Sequence, residues 1–202
     1  MKTALGLTFE EATHAYAFGG RPIPSVTQVL SDVGIIRQEW FSESAAARGT
    51  YLHSCIEAFE EGDLDEEIVP AEYRGYLDSF KRGRELLRID RVVGVEVRAV
   101  NTLEWYGGTV DLLAFDEDGD GLVVDWKSGA PSKWHRMQTA AYSLLDFDWY
   151  GTQEPKDDPD VRRASLYLDK DGGLPRFDFH TEGQIDRMNW RAALRVYNLK
   201  RA

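Results

Sequence analysis

Two neighbouring runs, EWYGGTVDLLAFD (residues 104–116) and GLVVDWKSG (residues 121–129), are β-branched and aromatic, and each sets an aspartate among apolar neighbours. EDGDG lies between the two runs and has the composition of a hairpin turn, so they are expected to be consecutive antiparallel strands. Asp111 follows Val110, and Asp125 follows Val123 and Val124. A charge beside a buried strand costs several kcal/mol unless it is paired or binds a metal. With the turn near Glu117 to Asp120, the two carboxylates reach adjacent strands at similar depth, an arrangement that attracts a hard divalent cation. Lys127 is two residues past Asp125 and leaves the same face of its strand. Asp-x-Lys on one face supplies a metal ligand beside a cation that can orient or deprotonate a water and steady negative charge on phosphate. Taken alone, the tripeptide is common, and in most proteins it is a strand-end ion pair.

Upstream, LTFEEATHAYAFGGRPIPS alternates and carries a Gly-Gly, which predicts a small β-hairpin. SVTQVLSDVG predicts a short helix capped by Ser25 and closed by Gly34. Residues 42–61 (SESAAARGTYLHSCIEAFEE) predict a helix with Leu52, Ile56 and Phe59 at helical spacing, and with His53 and Glu57 on one face. GDLDEEIVP reads as an acidic loop, and AEYRGYLDSFKRGRELLRI as a helix whose apolar stripe is Tyr73, Tyr76, Leu77, Phe80 and Leu87. RVVGVEVRAV precedes the two aspartate runs as another strand. KWHRMQTAAYSLLDFDWY is expected to be one helix that buries Met137, Ala140, Ala141, Leu144 and Leu145. GTQEPKDDPDV is expected to be a loop, VRRASLYLDK and LPRFDFH strands about an Asp-Gly-Gly turn, and EGQIDRMNWRAALRVYNLK the closing helix. This order predicts an α/β or α+β sandwich in a single domain. Residues 1–90 would be its hairpin and helical part, and residues 91–202 its sheet core and closing helices.

The net charge of −11 has the wrong sign for a protein that coats nucleic acid by bulk electrostatics. It is compatible with an enzyme whose carboxylates are neutralised by bound cations. Cys55 is the only cysteine, so any metal must bind through oxygen and imidazole. No run approaches the ~20 apolar residues of a membrane span, and a cytoplasmic protein is expected. Basic residues cluster at Lys81, Arg82, Arg84, Arg88 and Arg91. They cluster again at Arg187, Arg191, Arg195, Lys200 and Arg201, where the first three form a helical stripe. Each cluster reads equally as a phosphate track or a solvated helix face.

The order R-G-T-x-x-H (Arg48 to His53), G-G-T-V-D (Gly107 to Asp111), V-V-D-W-K-S-G (Val123 to Gly129) and Q-T-A-A-Y (Gln138 to Tyr142) resembles the PD-(D/E)XK nuclease superfamily. Within it, the RecB-like branch of phage-type and mitochondrial genome maintenance exonucleases is the nearer likeness, and IPSVTQVLS also resembles a segment of that branch. The resemblance implies a restriction-endonuclease-like core, a central mixed β-sheet flanked by helices. It implies that Asp111 and Asp125 bind Mg²⁺ or Mn²⁺ with the carbonyl of Trp126, that His53 completes the metal shell, and that Lys127 is the catalytic lysine. Gln138 and Tyr142 would position the lysine or the DNA, and Glu96 is a weaker candidate for a further site carboxylate. The implied activity is DNA hydrolysis, as an exonuclease on ends or single strands, in recombination, repair or phage DNA metabolism. The setting would be a bacterial or phage-infected cell, with a homo-oligomer or a viral recombination or replication partner compatible with it. Iron–sulfur relatives carry cysteines that are missing here.

His14, His135 and His180 have no partner pattern and are expected to be structural, and Glu57 an ordinary helix-surface charge. Residues 116–121 (DEDGDG) imitate the start of a calcium loop, but its twelfth position is Lys127 rather than a glutamate, so a plain turn is expected. Trp126 and Trp134 are read as core or rim aromatics. Two competing functions are a non-catalytic DNA-binding or assembly protein that keeps the fold, and a nuclease acting on RNA.

Overall fold

The computed structural model describes residues 6–11, 13–37, 42–150 and 161–201. A three-stranded antiparallel sheet opens the chain: β1 (Leu7–Glu10), β2 (Ala15–Phe18) and β3 (Arg21–Ile23). The expected hairpin therefore has a third strand, admitted because Gly19 and Gly20 both adopt positive φ and turn the chain back at once. Helix α1 (Val26–Asp32) follows. Ser25 Oγ accepts the Gln28 N–H at 3.0 Å, Gln28 returns a bond to the Ser25 N–H, and Gly34 closes the end at φ 82°. Helix α2 (Glu43–Glu61) is capped by Ser42 and stopped by Gly62 in the left-handed region. Helix α3 (Ala71–Leu86) packs beside it and buries Tyr76, Leu77 and Phe80.

The main sheet has the order β4 (Ile89–Asn101), β5 (Tyr106–Asp116), β6 (Gly121–Lys127), β7 (Val161–Tyr167) and β8 (Arg176–Phe179). All neighbours are antiparallel except β6 and β7, which run parallel. That parallel step needs a crossover, and α4 (His135–Tyr142) lies within it. Helix α5 (Gly183–Leu199) ends the chain against α4 and α1. The observed architecture is thus an α+β fold with a mixed five-stranded sheet, a small second sheet and flanking helices. The sheet divides two apolar cores. One holds Val29, Tyr106, Val123, Trp190 and Leu194, and the other Leu52, Ile56, Phe80, Leu112 and Trp126.

Three expectations change. The stretch 133–150 does not form one helix: α4 stops at Tyr142, since the Asn101 side chain takes the Leu144 carbonyl (2.5 Å) and the Asp146 N–H donates to Val100 O (2.9 Å). Tertiary partners thus claim the backbone groups that a longer helix would have used. Leu144 and Met137 are only partly buried, whereas Ala140, Ala141 and Leu145 are fully so. Glu104 and Trp105 belong to a turn rather than to β5. The loop expected at 151–160 lies outside the described residues. Among the described residues no helix is long and apolar enough to cross a membrane.

Candidate metal centre

The strand registers bring three acids into one row. Leu112 pairs with Val124, so Asp111 falls opposite Asp125 one step beyond the last paired residues of β5 and β6. Val95 pairs with Leu112 and Val97 with Val110, so Glu96 falls opposite Asp111 on the other side. The usual alternation breaks at this row. Val95 and Val97, two residues apart, enter different cores, as do Val110 and Leu112. An unbroken strand would send each pair to one side. The break in β4 coincides with Glu96, whose φ of 48° is rare for a residue with a side chain and is the kind of strain that gathers at functional sites.

Helix α2 carries His53 to the row from the other side. Its Nδ1 lies 2.8 Å from Glu96 Oε1 and 3.7 Å from Asp111 Oδ1. One ligand atom from each of His53, Glu96 and Asp111 fits within 4.8 Å of the others. Asp125 is fully buried; Oδ1 accepts from Lys127 Nζ at 2.7 Å, while Oδ2 has no hydrogen-bond partner among the described residues. The Trp126 N–H donates to Asp111 Oδ2 at 2.9 Å. The Trp126 indole turns away, into the core against Phe80.

These surroundings shift the charges. Burial raises both carboxyls to about 6, against the opposing pull of His53 on Asp111 and of Lys127 on Asp125. Burial pulls the His53 imidazole down, but Asp111 and Glu96 outweigh it and lift the group to about 9. The imidazole of His53 and the carboxylates of Glu96 and Asp111 could hold a metal ion, which would relieve the carboxylate repulsion.

Gln138 and Tyr142 come to the same place from α4. Gln138 Nε2 donates to Tyr142 Oη at 2.9 Å, and Gln138 Oε1 is a second buried oxygen in the cleft without a hydrogen-bond partner among the described residues. Gly108 makes room for Tyr142: a Cβ there would lie 2.8 Å from the ring. Lys127 Nζ lies 5.7 Å from the centre of the Trp134 ring, and that tryptophan is buried in the core that holds Val123 and Trp190. Arg48 ties α2 to the end of β6 through Ser128 Oγ (3.2 Å) and Ser128 O (3.5 Å), holding His53 and Lys127 in fixed relation. All the sequence-predicted site residues except Trp126 line one cleft of about 540 Å³.

Other residues sort differently from their sequence reading. His135 and His180 are indeed structural: His135 Nδ1 is 2.8 Å from Tyr167 Oη and His180 Nε2 is 3.0 Å from Ser165 Oγ. His14 is exposed on the cleft wall, edge-on to Phe9, and Glu57 also lines the cleft. Asp116 holds the hairpin turn by accepting the N–H groups of Asp118 and Asp120, as a plain turn requires. The first basic cluster is largely neutralised by Lys81–Glu66, Arg84–Glu60 and Arg88–Glu117 pairs, and in the second Arg191 pairs with Glu104. The residues that sequence reasoning missed are Tyr16, Arg98 and Thr109, on the cleft wall. Tyr16 and Arg98 lie in no motif, Thr109 sits inside G-G-T-V-D without having been singled out, and the register of β4 on β5 joins Arg98 to Thr109. No protein-family model and no curated protein matches this chain.

Proposed function

We propose that this protein is a Mg²⁺- or Mn²⁺-dependent nuclease of the RecB-like branch of the PD-(D/E)XK superfamily. It hydrolyses phosphodiester bonds in DNA, as an exonuclease on ends or single strands, and serves recombination, repair or phage DNA metabolism. The observation that carries this reading is the row Glu96–Asp111–Asp125 with His53 at its edge, Lys127 on Asp125, and one Asp125 oxygen unpartnered at the bottom of a cleft.

His53, Glu96, Asp111 and Asp125 are the residues that would hold the cation. When bound, a divalent cation polarises the scissile phosphate and stabilises the leaving oxygen. Lys127, held by Asp125, orients the attacking water and places positive charge where the phosphate gains negative charge. Gln138 and Tyr142 present an amide oxygen and a phenol to the same cleft, enough to fix a water or a phosphate oxygen. Burial keeps the Tyr142 phenol protonated, so it stays a donor.

The test is to compare the parent protein with Lys127→Ala and Asp125→Asn, each checked for an intact fold by circular dichroism, on linear DNA with Mn²⁺. Cleavage is expected to fall by about 100-fold or more in each variant. Undiminished cleavage would overturn the assignment. Tight DNA binding without metal and without cleavage by the parent would show a binder that keeps the fold.

A further inference from the structure

We propose that Trp134 is a positioning residue for Lys127, its ring holding the ammonium beside the acid row when a cation engages Asp125; this deepens the nuclease reading and rests on it for the reaction served. A lysine side chain is among the costliest to immobilise, and that of Lys127 remains 19% exposed. Its Nζ lies 2.7 Å from Asp125 Oδ1 and 5.7 Å from the centre of the Trp134 ring. Trp134 stands at the start of α4, and its carbonyl accepts the Gln138 N–H at 3.0 Å. Trp134, Gln138 and Tyr142 follow one another at intervals of four, so a single face of α4 carries all three. The ring is itself braced. His135 meets it edge-on, with ring centres 4.1 Å apart and planes at 76°. His135 is buried, and its Nδ1 lies 2.8 Å from Tyr167 Oη and accepts the Ser132 N–H at 3.3 Å. Tyr167 is the residue of β7 opposite Lys127 in the parallel register. The brace therefore begins and ends on one rung of the sheet, running from Lys127 through Trp134 and His135 to Tyr167.

The two holds on Lys127 differ in kind. Asp125 is one of the groups that would bind the cation, and a carboxylate drawn to a divalent ion gives up part of its attraction for an ammonium. An indole face offers a hard cation no oxygen, yet among aromatic rings it attracts an ammonium best. The hold of Trp134 is thus the one that a cation at the row leaves intact. Trp134 is packed in the core with Val123 and Trp190, so its ring cannot follow a wandering lysine. Burial, and after it Lys127, lower the His135 imidazole to about 3, so the residue behind the ring stays neutral and does not repel the ammonium. Lys127 can steady charge on a phosphate only from a fixed place, and a displacement of about 1 Å at such a centre is enough to slow a reaction severely.

The experiment has a kinetic arm and a spectroscopic one. On linear DNA, Trp134→Leu is expected to lower kcat by about 2- to 30-fold, the range of one lost ring–ammonium contact, with KM unchanged. Trp134→Phe, which keeps a π face, is expected to recover most of that loss. In a Lys127→Met background Trp134→Leu is expected to lower the residual cleavage no further, because the ring acts through the lysine. The spectroscopic arm needs no cleavage. In protein labelled with ¹³C-lysine, the ε-methylene protons of Lys127, identified by their loss in Lys127→Met, are expected upfield of the other lysines in EDTA and in Mg²⁺, and to lose that displacement in Trp134→Leu. Melting curves report whether each variant folds, and the parent's own Lys127 signal tests the contact even where Trp134→Leu does not. An undisplaced Lys127 signal in the parent, parental kcat in folded Trp134→Leu, a change confined to KM, or a further fall in the Lys127→Met background would overturn the role. A displaced signal that depends on Trp134 in a parent that cleaves nothing would uphold the contact and sink the nuclease reading. Cleavage indifferent to Trp134 would do the reverse.

Discussion

Asp125 has no solvent exposure, one oxygen on Lys127 and the other without a hydrogen-bond partner among the described residues. Burial raises its carboxyl from 3.8 to about 6 in spite of Lys127, so the protonated form is favoured more in the metal-free fold than in the unfolded chain. The folded value is above the unfolded one, and the contribution to stability is therefore full below pH 3.8 and is lost as pH rises through about 6. Asp125→Asn should melt above the parent at pH 7.5 in EDTA, by up to about 3 kcal/mol, with the gap closing toward pH 4. A gap independent of pH, read from thermal melts across that range, would contradict the account. His135 gives the opposite slope. Its imidazole is lowered from 6.5 to about 3, first by burial and then by Lys127. Stability due to its neutral form is present above pH 6.5 and is lost as pH falls toward 3. Relative to His135→Gln, the parent should lose about 1.4 kcal/mol per pH unit below pH 6.5, measured by urea denaturation at pH 4.5, 5.5 and 7.5. Six residues of the site, His53, Asp111, Asp125, Lys127, Gln138 and Tyr142, could be read from the sequence because each sits at a fixed offset inside a short motif. Glu96 was legible only weakly. V-E-V in an alternating strand looks like an outward charge, and its left-handed backbone, which breaks that alternation, leaves no mark in the sequence.

At the scale of elements, the helices around the site are placed by glycines and by tertiary hydrogen bonds more than by helix periodicity. Gly108 on β5 lies under the Tyr142 ring of α4, and a Cβ would come within 2.8 Å of it. Tyr142 is buried and has no room to retreat, so Gly108→Ala should displace α4, cost about 1–3 kcal/mol of stability and lower cleavage along with it. Thermal melts and initial cleavage rates check both parts. Gly75 on α3 is tighter: a Cβ there would lie 1.8 Å from the Lys170 carbonyl in the β7–β8 connection. Gly75→Ala is therefore expected to destabilise at least as much while leaving the cleft residues in place. The two substitutions separate an element that carries the site from one that only supports the sheet. Strands β4 to β8 and helices α2, α3 and α5 followed from period and composition, and helix α1 from its caps Ser25 and Gly34. The early end of α4 did not, because its cause is Asn101, more than 40 residues upstream.

For the whole molecule, a net charge of −11 and a row of acids set in one cleft leave few cations to meet a phosphate backbone. Among the described residues, Arg98 and Lys127 are the arginine and lysine side chains lining that cleft. For a single strand, two neutralised phosphates give a slope of log affinity on log salt of about −1.4. A slope steeper than about −4 would show a basic track elsewhere on the surface, such as the Arg187 and Arg195 face of α5. The proposal that the Glu96–Asp111–Asp125 row with Lys127 is a metal-dependent phosphodiesterase centre is tested by incubating the purified protein with end-labelled single-stranded, linear duplex and circular DNA, with Mn²⁺ or with EDTA. Release of short labelled products from the single strand and the linear ends is expected with Mn²⁺ only, with circular duplex left intact. No cleavage of any substrate with Mn²⁺ or Mg²⁺, or equal cleavage in EDTA, would contradict it.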